Sequence, residues 1–265
     1  MEQFSIGRVL SRGFGLVRDT IGTVGLFVLV VVVVQALTGF LAQALAAGSQ
    51  GDLDVTSPAA NLARLSALFS TGWSWLFILI SVIGFGLSYA GGIHGFAQQA
   101  ERGGTTLAQC FQVGLTRMVP VIGLSILWWL GIWLGTVFLI VPGLILLSMW
   151  SVALPAQIVE GRGIIDSFGR SRELTRGNRL SIFGVLFVLF LIYYAVIIIL
   201  FGALLGTGTL GLGNNGQASL LSTVLSIPAA CLSGMLLKSM ITSIYLESVL
   251  VKEGMRTHGL TEVFE

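Results

Sequence analysis

Long apolar stretches without a charged residue divide this chain. Asp, Glu, Lys and Arg are all absent from residues 20–51, 65–100, 118–159 and 180–237. A helix needs about 20 mostly apolar residues to cross the hydrocarbon core of a bilayer. The pattern therefore predicts a chain that is built inside a membrane.

These stretches predict six transmembrane helices. The first resembles a signal peptide because it ends in Ala44-Leu45-Ala46, but its apolar run exceeds the roughly 7–15 residues of a signal h-region. We therefore interpret it as a retained helix. Between the third and fourth spans, Val141-Pro142-Gly143 predicts a tight turn, since proline cannot continue a helix. The spans lie at about 21–46, 72–98, 118–140, 144–160, 181–205 and 219–246.

Basic residues collect on one side of these spans. Arg64 alone is assigned to the other side, with Asp52 and Asp54 nearby. Because positive residues are enriched in cytoplasmic segments, both termini are predicted to be cytoplasmic. The residues on that side are Arg8, Arg12, Arg18, Arg102, Arg117, Arg162, Arg170, Arg172, Arg176, Arg179, Lys252 and Arg256.

Composition supports a membrane protein. The chain is 55% apolar and 10% charged, against roughly 25% charged residues in soluble domains. We expect one integral membrane domain over residues 1–265. Cys110 and Cys231 show no motif spacing, so we interpret them as apolar thiols and predict neither a disulfide framework nor a metal site.

A similar four-residue motif recurs where each cytoplasmic segment leads into a pair of spans. Gly15-Leu16-Val17-Arg18, Gly114-Leu115-Thr116-Arg117 and Glu173-Leu174-Thr175-Arg176 each follow apolar residues at helical spacing. Such segments suit amphipathic helices that lie in the interface, with their apolar faces in the acyl boundary. The alternative is that any loop entering such a helix tends to hold Leu and Arg. The predicted repeats are 1–100, 101–160 and 161–265.

The fold class predicted is thus an all-α membrane protein. Its six transmembrane helices form three hairpins, each preceded by a short interfacial amphipathic helix. Repeats of this kind often accompany a binding site at the repeat interface.

Several short motifs resemble a known bacterial membrane module. Pro142-Gly143-Leu144-Ile145, Ala153-Leu154-Pro155, Val159-Glu160-Gly161 and Ser171–Asn178 occur in an order similar to the membrane domain found in front of some glycerophosphoryl diester phosphodiesterases. Standalone six-helix relatives share it. The resemblance covers most of the chain and implies the fold and a bacterial inner-membrane location. The catalytic barrel of those fusions is missing here, so no hydrolase activity is implied.

Lys238 is the most unusual residue, because it lies well inside the sixth span. It shares one helix face with Cys231, Gly234, Thr242 and Tyr245. One interpretation is that its amine snorkels to the cytoplasmic interface. The other is that it faces a cavity and binds an anionic group, such as a lipid phosphate or the carboxylate of Glu160.

Few other residues have side chains suited to catalysis or ligand binding. Glu160 precedes a basic segment that either fixes the loop through charge-assisted hydrogen bonds or binds anionic headgroups. His94 lies within the second span, where an ionisable residue is a functional candidate. The ordinary explanation is an imidazole that is hydrogen-bonded to a neighbouring helix or to interfacial water. The candidate lipid- or anion-binding residues are Lys238, Glu160, Arg170, Arg172, Arg176 and His94.

Glycines spaced four residues apart allow helices to approach closely. They either pack the six-helix bundle or support self-association into a homo-oligomer. Prolines within the third, fourth and sixth spans either kink a helix for packing or free carbonyls for a transport pathway. The glycine pairs are Gly91/Gly95, Gly131/Gly135 and Gly202/Gly206, and the prolines are Pro120, Pro155 and Pro228.

Three classes of function remain open. We find no catalytic constellation, cofactor motif or sign of a nucleic-acid partner, so an intramembrane enzyme is the least favoured class. The favoured function is the handling or transport of lipid or another hydrophobic or anionic small molecule, with membrane lipids as partners. The alternative is a structural or assembly module that forms homo-oligomers or organises membrane partners.

Overall fold

A computed structural model describes residues 4–48, 72–138, 140–206 and 220–261, and these ranges fold into helices without strands. The predicted all-α class is confirmed, in accordance with the need of a chain in lipid to satisfy its backbone polar groups internally. The helices are α1 (Ile6–Thr20), α2 (Val24–Gly48), α3 (Gly72–Arg102), α4 (Leu107–Phe138), α5 (Ile140–Met149), α6 (Ala153–Glu160), α7 (Ile164–Thr175), α8 (Arg179–Gly206) and α9 (Leu220–Thr261).

Five segments are long and apolar enough to cross a membrane, which makes the protein polytopic. A sixth crossing exists if α7 and the first part of α8 form one span, although they are bent by 104°. The exact number of six and the three-hairpin arrangement stay predictions. The five segments are Val24–Ala42, Trp75–Arg102, Leu107–Val137, Pro142–Glu160 and Ser226–Glu253.

Helices α2 and α3 run antiparallel along a close contact. At one end, a methyl group added to Gly95 would lie 2.7 Å from the side chain of Val24. At the other end, the amide of Gln35 donates a hydrogen bond to the carbonyl of Ser81 at 3.3 Å. This pairing places the second half of α2 beside the first half of α3.

The turn predicted at Val141-Pro142-Gly143 is wrong, because these residues form the first turn of α5. Proline fits there, since the first amides of a helix have no intrahelical acceptor to lose. Gly143 instead allows α5 to approach α4, where an added methyl group would press on the backbone of Thr136.

The fourth span is broken between α5 and α6. The break frees carbonyl groups, and other helices satisfy them. The indole of Trp128 donates to the carbonyl of Trp150 at 3.2 Å, and the hydroxyl of Ser171 donates to that of Met149 at 2.7 Å. Helix α7 therefore reaches the middle of this span.

The separate interfacial helix predicted before the second hairpin is wrong, because residues 107–138 form one continuous helix. Its start is fixed by reciprocal hydrogen bonds between Thr106 and Gln109, which constitute a capping box. The helix continues through Pro120, whose carbonyl accepts a hydrogen bond from the side chain of Gln157 at 3.1 Å.

The amphipathic helices α1 and α7 do form, but their buried faces pack on protein rather than in the acyl boundary. Val9 of α1 and Leu174 of α7 share a core cluster with Ile244 of α9. On α7 the buried positions also include small polar residues, whereas Ile165 is 81% exposed. Helix α9 therefore contacts both amphipathic helices.

Four of the six glycines predicted to support helix contacts face other parts of the same chain. A methyl group on Gly91 would press on the carbonyl of Cys110 in α4. The surroundings of Gly202 and Gly206 lie outside the described residues. Homo-oligomerisation stays a prediction. The four glycines that already make contacts within the chain are Gly91, Gly95, Gly131 and Gly135.

We expect Gly91→Ala to destabilise the bundle by about 1–3 kcal/mol, since the added methyl group meets the carbonyl of Cys110 and the ring of Phe27, and overpacking costs energy of this size. Thermal unfolding in detergent measures the change. Gly15→Ala is the control, because an added methyl group there has no neighbour within 4 Å; it should leave the midpoint equal or higher. Equal midpoints for Gly91→Ala and wild type would contradict the packing.

Candidate functional site

Lys238 is buried in the middle of the bundle, with only 3% of its surface exposed. Its amine donates a hydrogen bond to the hydroxyl of Ser88 at 2.5 Å and lies 5.2 Å from the ring centre of Tyr89. Both partners belong to α3. They solvate the ammonium group with a hydroxyl dipole and a π face, and neither carries a negative charge.

The lysine side chain points away from the basic end of the bundle. Side chains on a helix tilt toward its N-terminus, and the amine accordingly lies near Gly234, where an added methyl group would be 3.8 Å from it. The stem packs on Gly92, where a methyl group would lie 2.9 Å from Cδ. The snorkelling interpretation is therefore wrong.

The amine lies at one end of a cavity of about 400 Å³ between α2, α3 and α9. One face of α9 forms a wall from Ser226 to Lys238, which is about 18 Å along a helix. Ser226 and Ala230 are exposed, so the cavity opens at the end distant from the amine. Its lining consists of Val28, Val32, Gln35, Ala36, Phe85, Ser88, Tyr89, Ser226, Ile227, Ala230, Gly234 and Lys238.

Glu160 lies in a separate cluster at the basic end. It accepts hydrogen bonds from Arg170 at 2.9 Å, from Arg162 and from the hydroxyl of Tyr245 at 3.0 Å. Arg170, 10% exposed, also binds Glu253 at 2.5 Å. Its guanidinium group thereby connects α6, α7 and α9, and this arrangement supports the loop-fixing interpretation of Glu160.

A separate carboxylate that is buried, Glu247, joins α1 to α9. It is 2% exposed and accepts hydrogen bonds from Nε of Arg8 at 2.9 Å and from the backbone N–H of Ser5 at 3.4 Å. Arg12 lies 3.8 Å from its other oxygen. Sequence reasoning did not identify this cluster, although the spacing of Arg8 and Arg12 places both on one helix face.

The candidate residues from the sequence do not form one site. Glu160 and Arg170 meet at the basic end, where the exposed Arg172 and Arg176 also lie on and after α7. Lys238 is on the same helix as Tyr245 but about two turns away, so its predicted contact with Glu160 does not form. His94 is half-buried on α3 and is not in the lining of the lysine cavity.

Residues not identified from the sequence complete the lysine site. Ser88 and Gly92 are four residues apart on α3, one binding the amine and the other making room for its stem. Gln35 contributes an amide to the same cavity. The sequence did offer one indication of this site, because Gln35 is a polar residue at the end of a run of valines.

A second, larger cavity is an apolar groove of about 970 Å³ between α2, α3 and α4. Trp129 and Trp133 on α4 form its outer part. The full lining is Gly39, Ala42, Phe77, Ile78, Ser81, Val82, Phe85, Ile122, Ser125, Ile126, Trp129, Leu130 and Trp133.

The helices and their apolar lengths define a polytopic membrane protein of the all-helical class. Residues 5–248 match the model of a family described as a domain of unknown function, DUF7847, and the chain belongs to that family. No curated protein and no solved structure matches the chain. None of these comparisons connects it to the membrane domains of glycerophosphoryl diester phosphodiesterases, so that resemblance stays a prediction.

We expect Glu247→Gln to loosen α1, because a hydrogen bond to a charged group contributes about 1.5–3 kcal/mol and Arg8 would lose its buried anion. Hydrogen–deuterium exchange should show the amides of α1 exchanging at least about tenfold faster. Asp19→Asn, an exposed position on the same helix, is the matched control. Unchanged protection of α1 in Glu247→Gln would show that this carboxylate does not hold it.

Proposed function

We propose that this membrane protein binds an anionic small molecule or lipid headgroup in the cavity at Lys238, and that it handles this ligand without catalysing a reaction. The observation that carries the proposal is the buried lysine amine at the end of an open cavity. Within the described ranges, no carboxylate lies within ion-pair distance of this amine, whereas Glu160 and Glu247 each have arginine partners.

The energetic argument concerns the buried ammonium group. Burial of a charge is costly unless a partner compensates for it, and a hydroxyl group with an aromatic ring compensates less than a carboxylate. An anionic ligand in the cavity would provide the opposite charge and would be held strongly in surroundings of low dielectric constant. Ser88 and Gln35 add polar groups that can orient its oxygen atoms.

Two open spaces in the described part of the bundle favour ligand handling over a structural module. A structural module predicts a filled bundle whose glycine faces contact other copies. The cavity at Lys238 and the groove beside Trp129 leave space within the bundle, and Gly91 and Gly131 are covered by other parts of the same chain. Assembly into oligomers would not conflict with ligand binding.

The proposed orientation places the basic end of the bundle in the cytoplasm of a bacterial cell, with an inner-membrane location. Arg8, Arg170 and Lys252 lie on elements that assemble around the C-terminal half of α9, which supports their being on one side. Under the positive-inside bias this is the cytoplasmic side. The lysine cavity then opens toward the opposite side.

We expect Lys238→Met to reduce the anionic lipid that the protein retains by at least about tenfold, the equivalent of one interaction of about 1.4 kcal/mol. Native mass spectrometry of protein released from nanodiscs that contain phosphatidylglycerol counts the retained molecules. Lys252→Met is the matched control, because it removes the same charge from the same helix outside the cavity.

Size-exclusion chromatography and thermal unfolding establish that both lysine variants are folded. Met is similar in size to Lys and removes a buried charge, so we expect Lys238→Met to be at least as stable as wild type. Equal lipid retention in wild type, Lys238→Met and Lys252→Met would overturn the proposed function.

The orientation is tested by cysteine labelling after Cys110 and Cys231 are replaced by serine. Ile165→Cys, at the most exposed large apolar position of α7, should react with a membrane-impermeant maleimide only in inside-out vesicles. Ser57→Cys, in the predicted loop between the first two spans, should react only in right-side-out vesicles. The reverse pattern would invert the topology.

A further inference from the structure

The lysine cavity and the apolar groove are neighbours that share a wall. Phe85 lines both of them. Gln35 lines the cavity and donates its hydrogen bond to Ser81, which lines the groove. Gln35 also packs on Gly84, where an added methyl group would lie 2.9 Å from its amide nitrogen. Two side chains, those of Gln35 and Phe85, thus separate the two spaces.

The two spaces differ in chemistry. The cavity is lined by the ammonium group of Lys238, the amide of Gln35 and three hydroxyl-bearing side chains, those of Ser88, Tyr89 and Ser226. Besides the two indoles, the described lining of the groove has two hydroxyl side chains, and each is bonded within its own helix. Ser81 donates to the carbonyl of Phe77 at 2.9 Å, and Ser125 donates to that of Val121 at 2.7 Å. The groove therefore presents a hydrocarbon surface.

The groove is accessible from the side of the bundle. Trp129 and Trp133 are each 64% exposed on α4, in a segment long and apolar enough to cross the membrane. An acyl chain can therefore enter sideways from the bilayer, with no need to cross water.

We propose that the ligand is an anionic amphiphile, with a carboxylate or phosphate head at Lys238 and an acyl chain in the apolar groove. Head and chain would be joined across the α2–α3 contact, which requires the side chains of Gln35 and Phe85 to move from the positions in which they separate the two spaces. This inference rests on the proposed function and adds the class of ligand to it. The charge of the cavity, the apolar surface of the groove and their shared wall together favour this occupant over two unrelated ones.

Photolabelling in nanodiscs of zwitterionic lipid tests the position of the chain. The probes are hexadecanoate and hexadecyl phosphate that carry a diazirine at the terminal carbon, with hexadecylamine of the same design as the cationic control. We expect the anionic probes to label α3 and α4 peptides of the groove at least about fivefold more than the amine. The stronger of the two anionic probes distinguishes a fatty acid from a phosphate-bearing lipid.

A variant that fills the groove tests the binding of the acyl chain separately from the binding of the anionic head. Gly39→Phe should remove groove labelling, because an added side chain there enters open space. Leu37→Phe, an exposed position on the same helix, is the control and should label as wild type. Native mass spectrometry with octyl phosphate should still detect binding to Gly39→Phe and should lose it in Lys238→Met.

The outcomes distinguish the two proposals. If the anionic and cationic probes label the groove equally while Lys238→Met still loses anionic lipid, the assignment of the chain is wrong and the proposed function stands. If Gly39→Phe and Leu37→Phe label alike, the assignment is also wrong. If Lys238→Met changes neither lipid retention nor labelling, both proposals are overturned.

Discussion

Ionised groups on the buried half of α9 need partners from other helices, because burial removes the water that would otherwise solvate them. Glu247 is partnered by Arg8 of α1. Two residues earlier, Tyr245 meets Glu160, which Arg170 holds against α7. The two amphipathic helices are thus attached to the bundle by charge as well as by apolar packing, and this explains why their buried faces contact protein.

Lys238 is the exception in this arrangement. Arginines at the basic end pair with the buried Glu247 and the partly buried Glu160. Within the described ranges, no carboxylate lies within ion-pair distance of Lys238, whose amine instead binds Ser88. Its position two turns from Tyr245 places it at the head of a cavity instead. The same packing that satisfies one end of α9 leaves a single positive charge facing an open space, which is the physical basis of the proposed anion site.

Sequence reasoning was most reliable for the features that depend on composition. Long uncharged runs predicted apolar helices, and apolar residues at helical spacing predicted α1 and α7 as separate elements. It was wrong where one residue type has two structural uses. Pro142 was predicted to form a turn, yet it lies in the first turn of a helix. Pro120 lies inside its helix, within the predicted third span. The actual break, at 150–152, has no proline, and its carbonyls are satisfied by Trp128 and Ser171.

The sequence by itself determined that the chain is an all-helical membrane protein and that Lys238 is unusual, because both follow from which residues tolerate an apolar surrounding. Only the tertiary structure decided the partners: Ser88 for Lys238, Arg170 for Glu160 and Arg8 for Glu247. Such contacts join residues far apart in the chain. They depend on the register and direction of the packed helices, which local spacing does not specify.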